Sequence, residues 1–216
     1  MKQLLKEIIK KSPLNTIACN WIEKRREKQE LVEWEKNGKP NPPPHLIKQR
    51  AIQSHAKKYN IKVLVETGTY LGDMVEAMKS NFDKIYSIEL SDELHQKAKT
   101  RFKGNNTIEL IQGDSGVELK KLINKLDQPA LFWLDGHYSA GVTARGDKDT
   151  PIYEELDHIF ADNERQHVLL IDDARCFGKD PAYPSIEELS KYILSKKADV
   201  TITIENDSIR ITPGKQ

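Results

Sequence analysis

Three observations predict an α/β protein with a mostly parallel sheet, helices on both of its faces, a terminal antiparallel hairpin and an N-terminal helical arm. From residue 61 onward apolar runs alternate with helical stretches, the pattern of parallel strands joined by crossover helices. Near the end, VTITIENDSIRIT (200–212) is two alternating runs around a polar turn, which reads as a hairpin. Before the alternation begins, NGKPNPPPH (37–45) is a break that no helix can cross, because proline lacks the amide and clashes with the preceding turn.

The arm comes first. Leu14, Ile17, Ala18, Trp21 and Ile22 follow a helical stripe, and Leu4, Leu5, Ile8 and Ile9 form another opposite Lys2, Lys6, Lys10 and Lys11. A basic amphipathic helix packs on its own domain or on a partner subunit; weak association with a membrane surface is the other use of such a face. Residues 1–45 are therefore expected to be an arm and 46–216 the main domain. Residues 46–59 return to helix through Ile47, Ala51, Ile52 and His55. Strands are expected at 62–65, 85–88, 107–111, 130–134 and 168–171, with helices at 73–80, 92–102, 116–126 and 152–161 between them. Ser91 before Asp92 and Glu93, Ser115 with Glu118, and Ser185 with Glu188 read as helix starts, and Pro151 as a first-turn proline.

Composition narrows the class. Of 216 residues 38% are hydrophobic and 31% charged, the balance of a soluble globular protein. The net charge of +1 is unevenly spread: residues 1–60 hold 14 Lys/Arg against 6 Asp/Glu, and the remainder is acidic. Two cysteines, Cys19 and Cys176, form neither a disulfide framework nor a metal spacing, which suits a cytoplasmic protein. No apolar run approaches a membrane span. The basic charge lies on the arm without an aromatic-basic platform, which argues against a nucleic-acid partner.

In open α/β sheets ligands bind beyond the carboxyl ends of the strands. After the first strand, ETGTYLGD carries Glu66, Gly68, Thr69, Gly72 and Asp73. Gly68 permits a tight turn and a close backbone approach, while Glu66 offers an acceptor to a cationic amino group; an ordinary strand-to-helix turn would look the same. Glu89 and Leu90 close the second strand, where an acid typically accepts from ribose hydroxyls or else caps a helix. Asp114 and Ser115 after the third strand could meet an adenine amine or serve as N-caps. The fourth run ends on Asp135, Gly136 and His137, and the fifth on Asp172 and Asp173. If these strands are neighbours, three carboxylates share one rim and repel one another, which a divalent cation would relieve; all-oxygen ligands favour Mg2+ or its like. Pairing with Arg145, Lys148 or Arg175 is the alternative. His137 is a candidate general base. The polar loop 138–150 behind it offers Tyr138, Arg145 and Lys148 to an anionic or polar substrate.

Taken in order, ETGTYLGD, IYSIEL, QGDS and WLDGHYS followed by a hairpin resemble class I S-adenosylmethionine-dependent methyltransferases over roughly residues 46–212. The resemblance implies a Rossmann-like, seven-stranded sheet with only the last strand antiparallel. It also implies that S-adenosyl-L-methionine is bound by Glu66, Gly68, Thr69, Gly72 and Asp73 on the methionine side, by Glu89 and Leu90 at the ribose, and by Asp114, Ser115 and Asp135. The DGH…IDD pattern is similar to macrocin-type sugar O-methyltransferases and cephalosporin-hydroxylase-like proteins. By that likeness Asp135, Asp172 and Asp173 would bind Mg2+, and His137 stands where that group commonly has an acidic base. The expected activity is Mg-assisted O-methylation of a sugar, glycan or other small molecule. Metal-independent transfer to nitrogen or a carboxylate, or a non-catalytic cofactor-binding scaffold, are the alternatives. The arm, with Trp21 and Trp34 taken as exposed, predicts a homodimer.

Overall fold

The computed structural model describes residues 13–136 and 150–214, with 13–24 as backbone only. Its elements are α1 (Pro13–Lys36), α2 (His45–Lys58), β1 (Val63–Thr67), α3 (Asp73–Met78), β2 (Lys84–Glu89), α4 (Asp92–Arg101), β3 (Ile108–Gln112) and α5 (Ser115–Ile123). They continue with β4 (Ala130–Leu134), α6 (Ile152–Phe160), β5 (Val168–Ile171), a 3-10 turn (Ala174–Cys176), α7 (Ile186–Lys196), β6 (Val200–Glu205) and β7 (Ser208–Pro213). The seven strands lie in the order β3-β2-β1-β4-β5-β7-β6. Strands β1 to β5 pair in parallel, and β7 runs antiparallel to both β5 and β6. The chain builds outward from β1 to β3 on one side, then returns to place β4 on the other. That makes β1/β4 the switch point at which a ligand crevice opens.

Side-chain alternation along the strands separates two cores. Val63 and Val65 of β1, with Ala130, Phe132 and Leu134 of β4, face Leu119, Leu122, Ile152, Leu156, Leu189 and Ile193 from α5, α6 and α7. Leu64, Leu131 and Trp133 face the other way, onto Ile52, Met74, Val75, Met78 and Ala98 from α2, α3 and α4. Both faces of the central strands are thus covered, so every side chain of β1 and β4 is buried.

Helix starts follow local chemistry. Ser91 Oγ accepts from the Leu94 amide, and Ser185 with Glu188 completes a capping box. Two expected starts shift by one residue. The N-cap of α5 is Asp114, whose Oδ1 accepts from the Gly116 amide at 2.8 Å, while Glu118 pairs with Lys121; no Ser115–Glu118 box forms. Pro151 is the N-cap of α6 and not its first-turn residue.

The arm also differs from expectation. Trp34 is buried, and its indole donates to the Pro40 carbonyl at 2.7 Å, so the proline break folds back on the end of α1. Trp34 is therefore not an exposed aromatic awaiting a partner. Residues 1–12, with the Leu4–Ile9 stripe, and the side chains of Cys19 and Trp21 lie outside what is described. Among the described residues no helix is long and apolar enough to cross a membrane.

Candidate active site

The site lies at the carboxyl ends of β1, β2, β4 and β5. Backbone bonds continue past the strand ends and fix the loops to one another. The Gly68 amide donates to Ile88, the Asp135 amide to Thr67 and the Asp172 amide to Leu134. Gly68 has φ +84°, and a Cβ there would stand 2.9 Å from the Asp135 carbonyl carbon and closer still to its oxygen. The β1 turn and the β4 end thus meet backbone to backbone, and only glycine allows it. Gly72, also at positive φ, is the N-cap of α3.

Glu66 is buried at the end of β1. Ser87 donates to its Oε2, and Ser87 in turn lies 2.6 Å from the Thr69 hydroxyl. Burial pushes the Glu66 carboxyl up to about 8, the Glu89 charge adds to this, and the Ser87 bond opposes it. Thr69 turns its side chain inward, away from solvent. Glu89, also buried, accepts from the Tyr70 amide at 2.8 Å and the Ser91 amide at 2.9 Å, one on each oxygen. It therefore holds the exposed Tyr70–Leu71 loop to the end of β2, and each oxygen keeps a lone pair for a further donor. Leu90 offers its carbonyl to Gln112. Asp73 points elsewhere: it pairs with Arg101 at 2.7 Å on the surface. Ser115 is buried beside the Asp114 cap.

The rim carboxylates are brought together as strand adjacency requires, since Leu134 and Ile171 are paired residues of β4 and β5. What neutralises them was not legible beforehand. Lys48 of α2 reaches Asp172 Oδ2 just beyond the end of β5, with Asp173 Oδ1 at 3.7 Å from the same nitrogen. Asp173, at φ +57°, gives that oxygen to Arg175 at 2.7 Å, and Arg175 is itself bound by the buried Asp207 of the β6–β7 turn. Burial raises Asp135 well above the carboxylate range and Asp172 to about 6, with Lys48 opposing in both cases. Burial alone would lower Lys48, but the carboxylates around it, Asp172 first and then Asp135 and Asp173, together hold the ammonium above its ordinary value.

Mg2+ does not fit this arrangement. Among the described residues no group of three His, Cys, Asp or Glu side chains is placed to hold a metal ion. One oxygen of Asp172 carries the Lys48 ammonium and one oxygen of Asp173 the Arg175 guanidinium. Of the expected trio, which shares one rim, Asp172 and Asp173 are thus held by separate cations of the chain. His137, Tyr138, Arg145 and Lys148 lie outside the described residues.

Two participants were missed. Lys48 lies one helical turn from the buried Ala51 and Ile52, so a lysine on the inner stripe of α2 was the available signal. Glu155 of α6 is buried behind Gly136, its Oε1 without a partner, and burial pushes it up to about 7. Its position on the apolar stripe of α6, with Ile152, Leu156 and Ile159 at helical spacing, was the available signal.

No protein-family model and no curated protein matches the sequence. Solved structures do match the fold. The O-methyltransferase TomG from Streptomyces achromogenes, involved in tomaymycin synthesis and solved with SAM, superposes with a TM-score of 0.58 at 14% identity, over 88% of this chain and 89% of that one. An O-methyltransferase from Bacillus cereus in complex with SAH gives 0.58 at 13% identity, over 88% and 90%. The SAH-bound methyltransferase PaMTH1 from Podospora anserina gives 0.56 at 16% identity, over 94% and 98%. The chain thus has the fold of the class I S-adenosylmethionine-dependent methyltransferases.

Proposed function

We propose that the protein is an S-adenosyl-L-methionine-dependent methyltransferase that transfers to a hydroxyl of a sugar, glycan or other small molecule. The observation that carries this reading is the cradle at the β1/β4 switch point. There Gly68 brings the β1 turn against Asp135, with Glu66 buried beneath it and Glu89 at the neighbouring strand end. A Cβ at position 68 would run into the Asp135 backbone, so the turn keeps its shape only with glycine, and the carboxylates around it suit a cofactor that carries an ammonium and two ribose hydroxyls. When bound, the cofactor supplies an electrophilic methyl group on its sulfonium.

The chain's own residues would then divide the work. Glu66 would answer the ammonium and Glu89 the ribose. The α5 N-terminus, with Asp114 and Ser115, would border the base. His137, next in sequence to the close-packed Gly136, is the proposed base, and Tyr138, Arg145 and Lys148 are the proposed acceptor contacts. The DGH…IDD pattern supports kinship with macrocin-type enzymes. The Lys48–Asp172 pair favours transfer without a metal over the Mg-assisted route. It leaves nitrogen and carboxylate acceptors as the second reading. Cytoplasmic residence and a homodimer formed through the arm also remain proposals.

The test is thermal denaturation with S-adenosylmethionine and with S-adenosylhomocysteine, followed by calorimetry. Each ligand should raise the melting temperature, as anything that binds only the native state must. Glu89→Ala should weaken S-adenosylhomocysteine binding by about ten- to a hundredfold, the loss of charged hydrogen bonds. No stabilisation by either ligand would sink the proposal. A panel of hydroxyl, amine and carboxyl acceptors with labelled cofactor then separates the two readings.

A further inference from the structure

We infer that the Lys48 ammonium is the resident cation of the carboxylate rim, and that it keeps divalent metal out of the position between Asp135, Asp172 and Asp173. The inference starts from α2. Lys48 is on the same helical stripe as Ala51 and Ile52, which pack beneath the sheet, so its stem runs along a buried face. Its side chain is 17% exposed, and that of its partner Asp172 only 1%. Such a pair is not a surface ion pair that solvent could exchange at will. The contact joins residues 124 positions apart, and the tie of Asp207 to Arg175 fixes the loop on the far side of it.

The electrostatics follow from shared oxygens. A metal bound by Asp172 and Asp173 would sit within coordination distance of the oxygens that Lys48 already approaches. The ammonium and a divalent cation would then face each other across one carboxylate. Coulomb repulsion at that separation is severe in a partly buried site. One of the two must leave, and Lys48 is covalently held. Without Lys48, Asp172 would lose its only described cation, while its Oδ1 has no partner even now. A buried carboxylate stripped of its ammonium, beside two more acids, has the charge and the all-oxygen chemistry that draw Mg2+ or Mn2+, and side-chain rotation would bring its neighbours into coordination. Lysine has thus taken the electrostatic place of the metal. On the methyltransferase reading, transfer would be insensitive to chelators; the occupancy of the rim does not depend on that reading.

The experiment uses Mn2+ alone, titrated into the chelator-treated full chain and followed by the paramagnetic resonance signal of the free ion. No cofactor or acceptor is needed, so failure here and failure of the methyltransferase reading are separate outcomes. The native protein should bind no Mn2+ beyond the background of Asp172→Asn. Lys48→Met, which keeps the apolar stem, and Lys48→Ala should each gain a site, at least about tenfold tighter than any native binding, a change of about 1.4 kcal/mol. The gain should vanish in the Lys48→Met/Asp172→Asn double variant. A native Mn2+ site that Asp172→Asn abolishes would overturn the inference. So would lysine variants that are folded by circular dichroism yet bind no Mn2+. If neither lysine variant folds, the native protein and Asp172→Asn decide alone, an Asp172-dependent Mn2+ site overturning the inference and none upholding it.

Discussion

Gly68→Ala should lower the melting temperature by on the order of 10 °C and abolish binding of S-adenosylhomocysteine. Two costs combine. Alanine at φ +84° pays about 1–2 kcal/mol for the left-handed backbone. Its Cβ then meets the Asp135 carbonyl, a backbone atom held by the Thr67–Asp135 bond, and overpacking of this kind costs about 1–3 kcal/mol more. Each kcal/mol shifts the midpoint of a domain of this size by about 2–4 °C. Two other glycines separate the contributions. Gly104 has the same φ with nothing within 4 Å of its Cβ position, so Gly104→Ala reports the backbone cost alone and should leave binding unchanged. Gly72 would meet the Phe102 ring at 2.7 Å, but a ring can turn where a carbonyl cannot, so Gly72→Ala should fall between them. Differential scanning fluorimetry and calorimetry on the three variants provide the check. Equal melting and equal binding for Gly68→Ala and Gly104→Ala would mean that the approach to Asp135 is not what constrains the turn.

The contrast between Asp135 and Lys48 marks where sequence reasoning succeeds and where it stops. Asp135, Asp172 and Glu89 were found because each ends an apolar run, and parallel strands deliver their ends to one edge whatever surrounds them. The five parallel strands were legible as apolar runs that end at the first polar residues, and the last two as alternating runs around a polar turn. Helix caps were legible to within one residue, since Asp114 and Ser115 are both good caps and only the backbone decides between them. The partner of a charge is a different kind of fact. Whether a carboxylate meets a metal, Arg175 or a lysine on a helix 124 residues away depends on how layers stack, and local pattern carries little of that. Trp34 illustrates the same limit. Its helical position was evident, but its burial depends on prolines that fold back beyond the end of α1.

Glu66 should make the protein lose stability as pH rises, and make it gain cofactor affinity over the same range. Burial raises its folded-state value to about 8, whereas in the unfolded chain it titrates near 4.5. Below the unfolded value both states carry the proton, and the contribution of Glu66 is complete. As pH rises, the unfolded chain ionises first, binds fewer protons than the native state, and unfolding becomes easier until the folded carboxyl has also titrated. The decline from this group is on the order of a few kcal/mol, spread between about pH 4.5 and 8. Asp172, at about 6, and Glu155, at about 7, add declines of the same sign that are complete at lower pH, and the raised Asp135 adds another. Glu66→Gln should therefore flatten the curve without making it level, with the difference extending up to pH 8. The cofactor inverts the sign. If Glu66 pairs with its ammonium, the bound state needs the carboxylate, so binding at pH 7 must release a proton and tighten as pH rises towards 8. Calorimetry of S-adenosylhomocysteine binding in two buffers of different ionisation enthalpy measures that proton directly. It should be present in the native protein and absent in Glu66→Gln, and equal proton release in both would remove Glu66 from the ammonium.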